Sequence, residues 1–80
     1  MVKYSKEAEK FILSQGKTSA LRLYHAIEKL PLGDVKRLLG AKNPPLYRLR
    51  IGDYRVIFCS EFDQITVLRV DNRGDVYKKI

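Results

Sequence analysis

Three arginines in one short stretch, LYRLRIGDYRVIF, are the side chains of this sequence best suited to bind a phosphate. Arg48, Arg50 and Arg55 lie within Leu46–Phe58. A guanidinium stays charged at neutral pH, and its planar fork of donors matches phosphate oxygens. Neighbouring cations repel one another unless an anion binds there or nearby acids neutralise them. The alternative is a solvated strand face with cross-strand Asp or Glu partners, although most acids nearby fall in the flanking turns.

The same stretch predicts a hairpin that brings these arginines together. Strands are predicted at about Leu46–Ile51 and Tyr54–Ser60, joined by a Gly52-Asp53 turn with glycine first, as type II′ turns prefer. Because side chains alternate between the two faces of a strand, the three arginines should share one face. The opposite face, which should receive the helices, is almost wholly apolar and comprises Tyr47, Leu49, Ile51, Tyr54, Val56 and Phe58.

A third strand is predicted at about Gln64–Val70, and its register is left open by the sequence. Both of its faces carry apolar residues. A strict two-residue turn at Phe62-Asp63 would direct Arg69 to the helix side, whereas a three-residue loop would direct it to the arginine face.

Two helices precede these strands. Ser5 is a good N-cap for a helix over about Ser5–Gln15, and Thr18 or Ser19 can cap a second helix that ends before Pro31. The apolar stripes at helical spacing are Ala8, Phe11 and Ile12 in the first helix and Ala20, Leu23, Tyr24, Ile27 and Leu30 in the second.

The remaining segments complete a single domain over residues 1–80. Val2–Tyr4 could form a short strand, and residues 32–45 are interpreted as an ordered loop with one helical turn from Asp34 through Leu39. The predicted fold class is therefore α+β, with an N-terminal helical hairpin packed on one face of a small antiparallel sheet.

The charge of the chain points to a polyanionic partner. The formal net charge is +7, and five of the seven arginines fall between Arg48 and Arg73. Nucleic acid is the first candidate partner, followed by an acidic protein and a membrane surface; the alternative is a protein that is simply basic. Cys59 and His25 are single, so no metal site or cofactor is expected. No signal peptide or membrane span is predicted, which favours the cytoplasm.

The order of these segments resembles a known family. A helical hairpin, a Leu-Pro-Leu-Gly loop, YRLRIGDYRVIF, ITVLRV and NRGDVYKK together are similar to the RelE/ParE toxin superfamily, nearer its RelE branch. The resemblance implies a toxin that is neutralised by a cognate antitoxin. RelE-like members cleave mRNA in the ribosomal A site, whereas ParE-like members inhibit DNA gyrase and are not nucleases.

The resemblance also implies a set of site residues. RelE-like enzymes are thought to cleave by attack of an RNA 2′-OH on the adjacent phosphate. Arg55 and Arg73 match the family positions expected to hold the scissile phosphate, and Tyr77 matches the tail tyrosine that stacks on or orients a base. The further RNA-binding positions are Arg48, Arg50, Lys78 and Lys79.

One departure from the family bears on proton transfer. Many relatives have His-Arg where this chain has Asn72-Arg73, and asparagine cannot carry a proton near neutral pH. Arg48 is a poor base, so Tyr77 is the remaining candidate. Three functions therefore stay open: a ribosome-dependent endoribonuclease, a non-enzymatic inhibitor of an enzyme such as gyrase, and an RNA- or ribosome-binding relative without catalysis.

Overall fold

Two helices pack on one face of a five-stranded sheet. The computed structural model describes residues 2–42 and 44–72. The elements are β1 (Val2–Tyr4), α1 (Lys6–Ser14), α2 (Lys17–Glu28), β2 (Asp34–Lys42), β3 (Pro45–Ile51), β4 (Tyr54–Glu61) and β5 (Gln64–Asn72). The strand order is β1-β5-β4-β3-β2. The predicted α+β fold is confirmed; the sheet is antiparallel except that β1 runs parallel to β5.

The hydrophobic core lies between the helices and one face of the sheet. The predicted apolar stripes are confirmed, since Ile12, Leu23 and Ile27 are fully buried. The sheet contributes the predicted face of the hairpin: Leu49, Ile51, Val56 and Phe58 are buried against the helices, with Val67 and Val70 from β5.

The boundary between the two helices differs from the prediction. α1 begins after Ser5 as expected, but α2 begins at Lys17 and uses neither Thr18 nor Ser19 as its cap. Gly16 takes the N-cap position with φ of 91°. Glycine adopts a positive φ at little cost, and this conformation changes the direction of the chain sharply. Only Gln15 and Gly16 therefore separate α1 from α2.

Residues 34–42 form a strand, not the predicted loop with a helical turn. β2 pairs antiparallel with β3, placing Asp34 opposite Arg50 and Lys36 opposite Arg48. Val35 packs against the core. Without β2, the hydrogen-bonding groups on the outer edge of β3 would have no strand to pair with, and this pairing outweighs the weak local preference of the segment.

The hairpin of β3 and β4 forms as predicted. Ile51 lies opposite Tyr54 across the turn, and Gly52 has φ of 57°, as the first position of a type II′ turn requires. The three predicted strands are all present, each within two residues of its expected bounds.

β5 follows a two-residue turn, yet Arg69 lies on the open side of the sheet, a result that the sequence analysis expected only from a three-residue loop. Phe62 and Asp63 form a strict two-residue turn with φ values of 50° and 63°. The register then shifts by one residue, because Phe58 lies opposite Val67 and Ile57 lies opposite Arg69. Leu68 is the extra residue of this β-bulge, which turns Arg69 away from the helices.

Ser5 holds the bulge through hydrogen bonds from the start of α1. Its backbone N–H donates to the Val67 carbonyl at 2.8 Å, and its hydroxyl donates to the Leu68 carbonyl at 2.8 Å. The same hydroxyl accepts from the Ala8 N–H at 3.0 Å, which caps the helix. One side chain therefore fixes both the beginning of α1 and the backbone of the bulge.

Replacing Ser5 should destabilise the protein. Ser5→Ala removes the cap and the hydrogen bond to the bulge, and we expect the free energy of unfolding to fall by about 1–2 kcal/mol. Urea denaturation followed by circular dichroism measures this loss. The matched control is Ser14→Ala, at an exposed serine whose hydroxyl, among the described residues, bonds only within α1 and to Gln15. Equal stabilities of the two variants would contradict the role given to Ser5.

Tyr4 should make the stability of the fold sensitive to alkali. Burial, followed by the Glu28 carboxylate, raises the pKa of Tyr4 to about 12. A tyrosine in the unfolded chain ionises near pH 10. Between pH 10 and 12 the unfolded state therefore releases the proton first, and the free energy of unfolding falls as the pH rises.

Tyr4→Phe should reduce that alkaline loss. To separate this loss from any effect of the missing hydroxyl at neutral pH, the quantity to compare is the change in unfolding free energy between pH 9 and pH 11 for each protein. The variant should lose less than the wild type over this interval. An equal loss would mean that other groups set the alkaline limit.

Candidate nucleic-acid interface

The face of the sheet opposite the helices carries two rows of charged side chains, and we call it the open face. The strand registers align Asp34, Arg50, Arg55 and Asp71 in one row across β2, β3, β4 and β5. The adjacent row contains Lys36, Arg48, Ile57 and Arg69. The prediction that Arg48, Arg50 and Arg55 share one face is therefore confirmed.

Asp71 binds two of these arginines. Its carboxylate accepts from Arg55 Nε at 3.3 Å and from the Arg55 terminal nitrogen at 3.2 Å, so the contact is a two-point fork. The same carboxylate lies 3.6 Å from Arg69 Nε. The carboxylate therefore bridges Arg55 of β4 and Arg69 of its own strand, β5.

Asp34 binds Arg48 at the other side of the face. The distance between the Arg48 terminal nitrogen and the Asp34 carboxylate is 3.4 Å. The Arg48 side chain is only 16% exposed, and its Nε is buried without a hydrogen-bond partner in the described part of the chain. A shielded guanidinium of this kind interacts with anions more strongly than one in bulk water.

Arg50 is left without an ion pair among residues 2–42 and 44–72, and it lies directly opposite Arg55. Two like charges across an antiparallel pair repel each other. The acids of the neighbouring strands do serve as partners, as the solvated alternative required, but two carboxylates face five cations in the two rows. The open face therefore keeps an excess of positive charge.

Position 72 is directed to the other side of the sheet. Asn72 lies opposite Tyr54 in the register, and Tyr54 belongs to the helix side, where its hydroxyl donates to Gln15 at 3.1 Å. Asn72, which stands where many relatives have histidine, therefore lies on the helix side of the sheet. Asp71 lies on the open face, in the row of Arg55. Sequence reasoning alone did not reveal this, because it depends on the bulge.

Four of the predicted site residues belong to the segment that follows β5. Arg73, Tyr77, Lys78 and Lys79 lie outside the described residues, so their convergence with Arg55 stays a prediction. Sequence reasoning missed Lys36 and Asp34 as members of the open face, because Val35 is the one apolar residue among residues 34–37 and the segment shows no period-2 alternation.

A cavity lies beside α2, on the helix side of the sheet. This cavity of about 520 Å³ is lined by the apolar residues Leu49 and Ile51 and by Arg22, Lys29 and Arg50. His25 also lines it and is exposed, so it belongs with neither the core nor the open face.

The described residues hold no cluster of His, Cys, Asp or Glu side chains that could bind a metal ion. Neither α1 nor α2 has the length and apolar character that crossing a membrane would need. Cys59 is a free thiol, half-buried on the open face opposite Thr66.

Comparison with known proteins agrees with this fold. The family model for the ParE toxin of the type II toxin–antitoxin system parDE matches residues 2–77. A search of curated proteins finds no match. Among solved structures, the chain is similar to the archaeal RelE–RelB complex of Pyrococcus horikoshii OT3, with 33% identity and a TM-score of 0.73 over 91% of this chain and 93% of that chain.

A second solved structure is the RelB–RelE antitoxin–toxin complex of Methanococcus jannaschii. It shares 26% identity with this chain, and the TM-score is 0.70 over 98% of each chain. The family match and the two structural similarities cover nearly the whole chain, including both rows of the open face. The chain therefore belongs to the RelE/ParE family of toxins from type II toxin–antitoxin systems.

Proposed function

We propose that this toxin is a ribosome-dependent endoribonuclease that cleaves mRNA in the ribosomal A site. The observation that carries the proposal is the excess of guanidinium groups on the open face, where Arg50 and Arg55 lie opposite each other without enough acids to neutralise them. An RNA backbone crossing this face would relieve that repulsion. Phosphate contacts of this kind supply most of the affinity of nucleic-acid binding.

The proposed reaction is attack of a 2′-OH on the adjacent phosphate, with release of the 5′-oxygen. It needs charge stabilisation at phosphorus, a proton acceptor and a proton donor. Arg55 and Arg73 would hold the scissile phosphate, and Tyr77 would orient the base and take part in proton transfer. The flanking nucleotides would be bound by Arg48, Arg50, Lys78 and Lys79.

The proposed protein partner is a cognate antitoxin that neutralises the toxin in the cytoplasm. Both solved relatives are complexes of a toxin with its antitoxin. The basic charge of this chain supports an acidic antitoxin segment as the complementary surface.

The second candidate is inhibition of DNA gyrase without nuclease activity. The match to the ParE model supports it, and the cavity beside α2 offers a surface for a protein target that does not include Arg55. The two candidates differ in which residues they need, because only the nuclease depends on Arg55, Arg73 and Tyr77.

Arg55→Ala and Arg73→Ala should each abolish toxicity while leaving the protein folded. Losing one preorganised charge at a transferring phosphoryl group costs about 3–4 kcal/mol in the transition state, or roughly 100- to 1,000-fold in rate. Growth after induced expression measures toxicity, and circular dichroism measures folding. The control is Arg22→Ala, which removes an exposed arginine from α2. Undiminished growth arrest by folded Arg55→Ala and Arg73→Ala proteins would exclude a phosphate site at these residues.

Primer extension on cellular mRNA separates the candidates. The wild-type protein should produce new cuts within translated codons, and Tyr77→Phe should lose them. Growth arrest without cuts would favour the gyrase inhibitor. Growth arrest that disappears only in Arg22→Ala would also favour it, because that residue lines the cavity on the helix side.

A further inference from the structure

The carboxylate of Asp71 occupies a position between two exposed guanidinium groups. Arg55 approaches it with two nitrogens at 3.2 Å and 3.3 Å, and Arg69 approaches the same oxygen, Oδ2, at 3.6 Å. The Asp71 side chain is 20% exposed, whereas those of Arg55 and Arg69 are 44% and 71% exposed. The two arginines therefore converge on one small anionic group from the solvent side.

The geometry is one that a phosphate can adopt in place of the carboxylate. The guanidinium fork binds both groups through two parallel N–H···O contacts. The observed distances exceed the about 2.7–2.9 Å of strong charge-assisted bonds. Ion pairs at exposed positions contribute little to stability, so exchanging this carboxylate for another anion is not costly to the fold.

Arg69 reaches this position only because of the Leu68 bulge. An unbroken register would direct Arg69 towards the helices, and Ser5 holds the backbone that prevents this. The bulge therefore brings a second arginine to the Arg55 fork from the neighbouring strand. Bulges often re-aim a side chain beside a functional site.

We propose that Asp71 takes the place of an RNA backbone phosphate in the free toxin, and that Arg55 and Arg69 form a phosphate clamp once RNA displaces it. The inference rests on the proposed function, since it takes RNA as the ligand. It adds Arg69 to the RNA-binding residues and gives Asp71 a defined role: it keeps both guanidinium groups oriented and competes with the substrate for them.

The test is binding of a fluorescein-labelled single-stranded RNA 12-mer whose 2′-oxygens are methylated, so that it cannot be cleaved. Fluorescence anisotropy over a series of salt concentrations gives both the affinity and its salt dependence. Asp71→Asn should bind about 5- to 10-fold more tightly, as expected when one competing charge near the site is removed. Arg69→Ala should bind more weakly and lower the salt slope by about 0.7, corresponding to one phosphate contact on a single strand.

Two controls separate the clamp from a general effect of charge. Asp63→Asn makes the same charge change in the β4–β5 turn, where asparagine tolerates the positive φ, and should tighten binding much less. The gain from Asp71→Asn should be smaller in an Arg69→Ala background than in the wild-type background, because one of the two guanidinium groups that Asp71 occupies is then missing.

The RNA-binding results test the clamp separately from the nuclease proposal, which is tested by mRNA cuts in cells. Equal tightening by Asp71→Asn and Asp63→Asn, or an unchanged salt slope in folded Arg69→Ala, would overturn the clamp. Absence of RNA binding by the wild-type protein would overturn it as well. The expected binding pattern without mRNA cuts in cells would leave the clamp intact and refute the nuclease.

Discussion

The hydrogen bonds between Ser5 and the backbone of Val67 and Leu68 determine which side chains of β5 face the helices. Before the bulge, Val67 lies in the core; after it, Val70 does, and both are buried. Without the extra residue, one half of the strand would turn its charged side chains into the core. The core and the open face are therefore two consequences of the same local break in the register.

The two faces of the sheet keep the buried apolar residues apart from the exposed cations, which could not share one surface. Its helix side must bury the sheet's contribution to the hydrophobic core of an 80-residue chain, which has little core to spare. Its open face carries cations that repel one another. Asp34 and Asp71 reduce this repulsion at the two sides of the array, and Arg50 between them is left without an ion pair in the described part of the chain.

The local features of the fold could be predicted from the sequence because their causes are local. The β3–β4 hairpin follows from alternating residues around Gly52, and α1 follows from Ser5 and its apolar spacing. The face of Arg69 could not be predicted, because the bulge depends on a contact with Ser5 at the other end of the chain. β2 was missed for a similar reason: Gly33, Gly40 and the prolines suggested a loop, and pairing with β3 overrode them.

The candidate site, like the fold, could be predicted where its causes are local. Arg48, Arg50 and Arg55 were found from strand alternation alone, since a two-residue hairpin fixes their common face. The pairing of Asp71 with Arg55 required the β5 register, and the side occupied by Asn72 required it too. The contribution of residues 73–80 rests on the family resemblance.

The contact between Ser5 and Leu68 joins residues that are 63 positions apart. Contacts of such long sequence separation form late in folding, because a large loop must close before they stabilise anything. During synthesis, β1 and the start of α1 leave the ribosome long before β5 exists. A nascent chain therefore cannot assemble the complete open face until β5 has been synthesised, and the charged surface forms only once that strand has paired with β4.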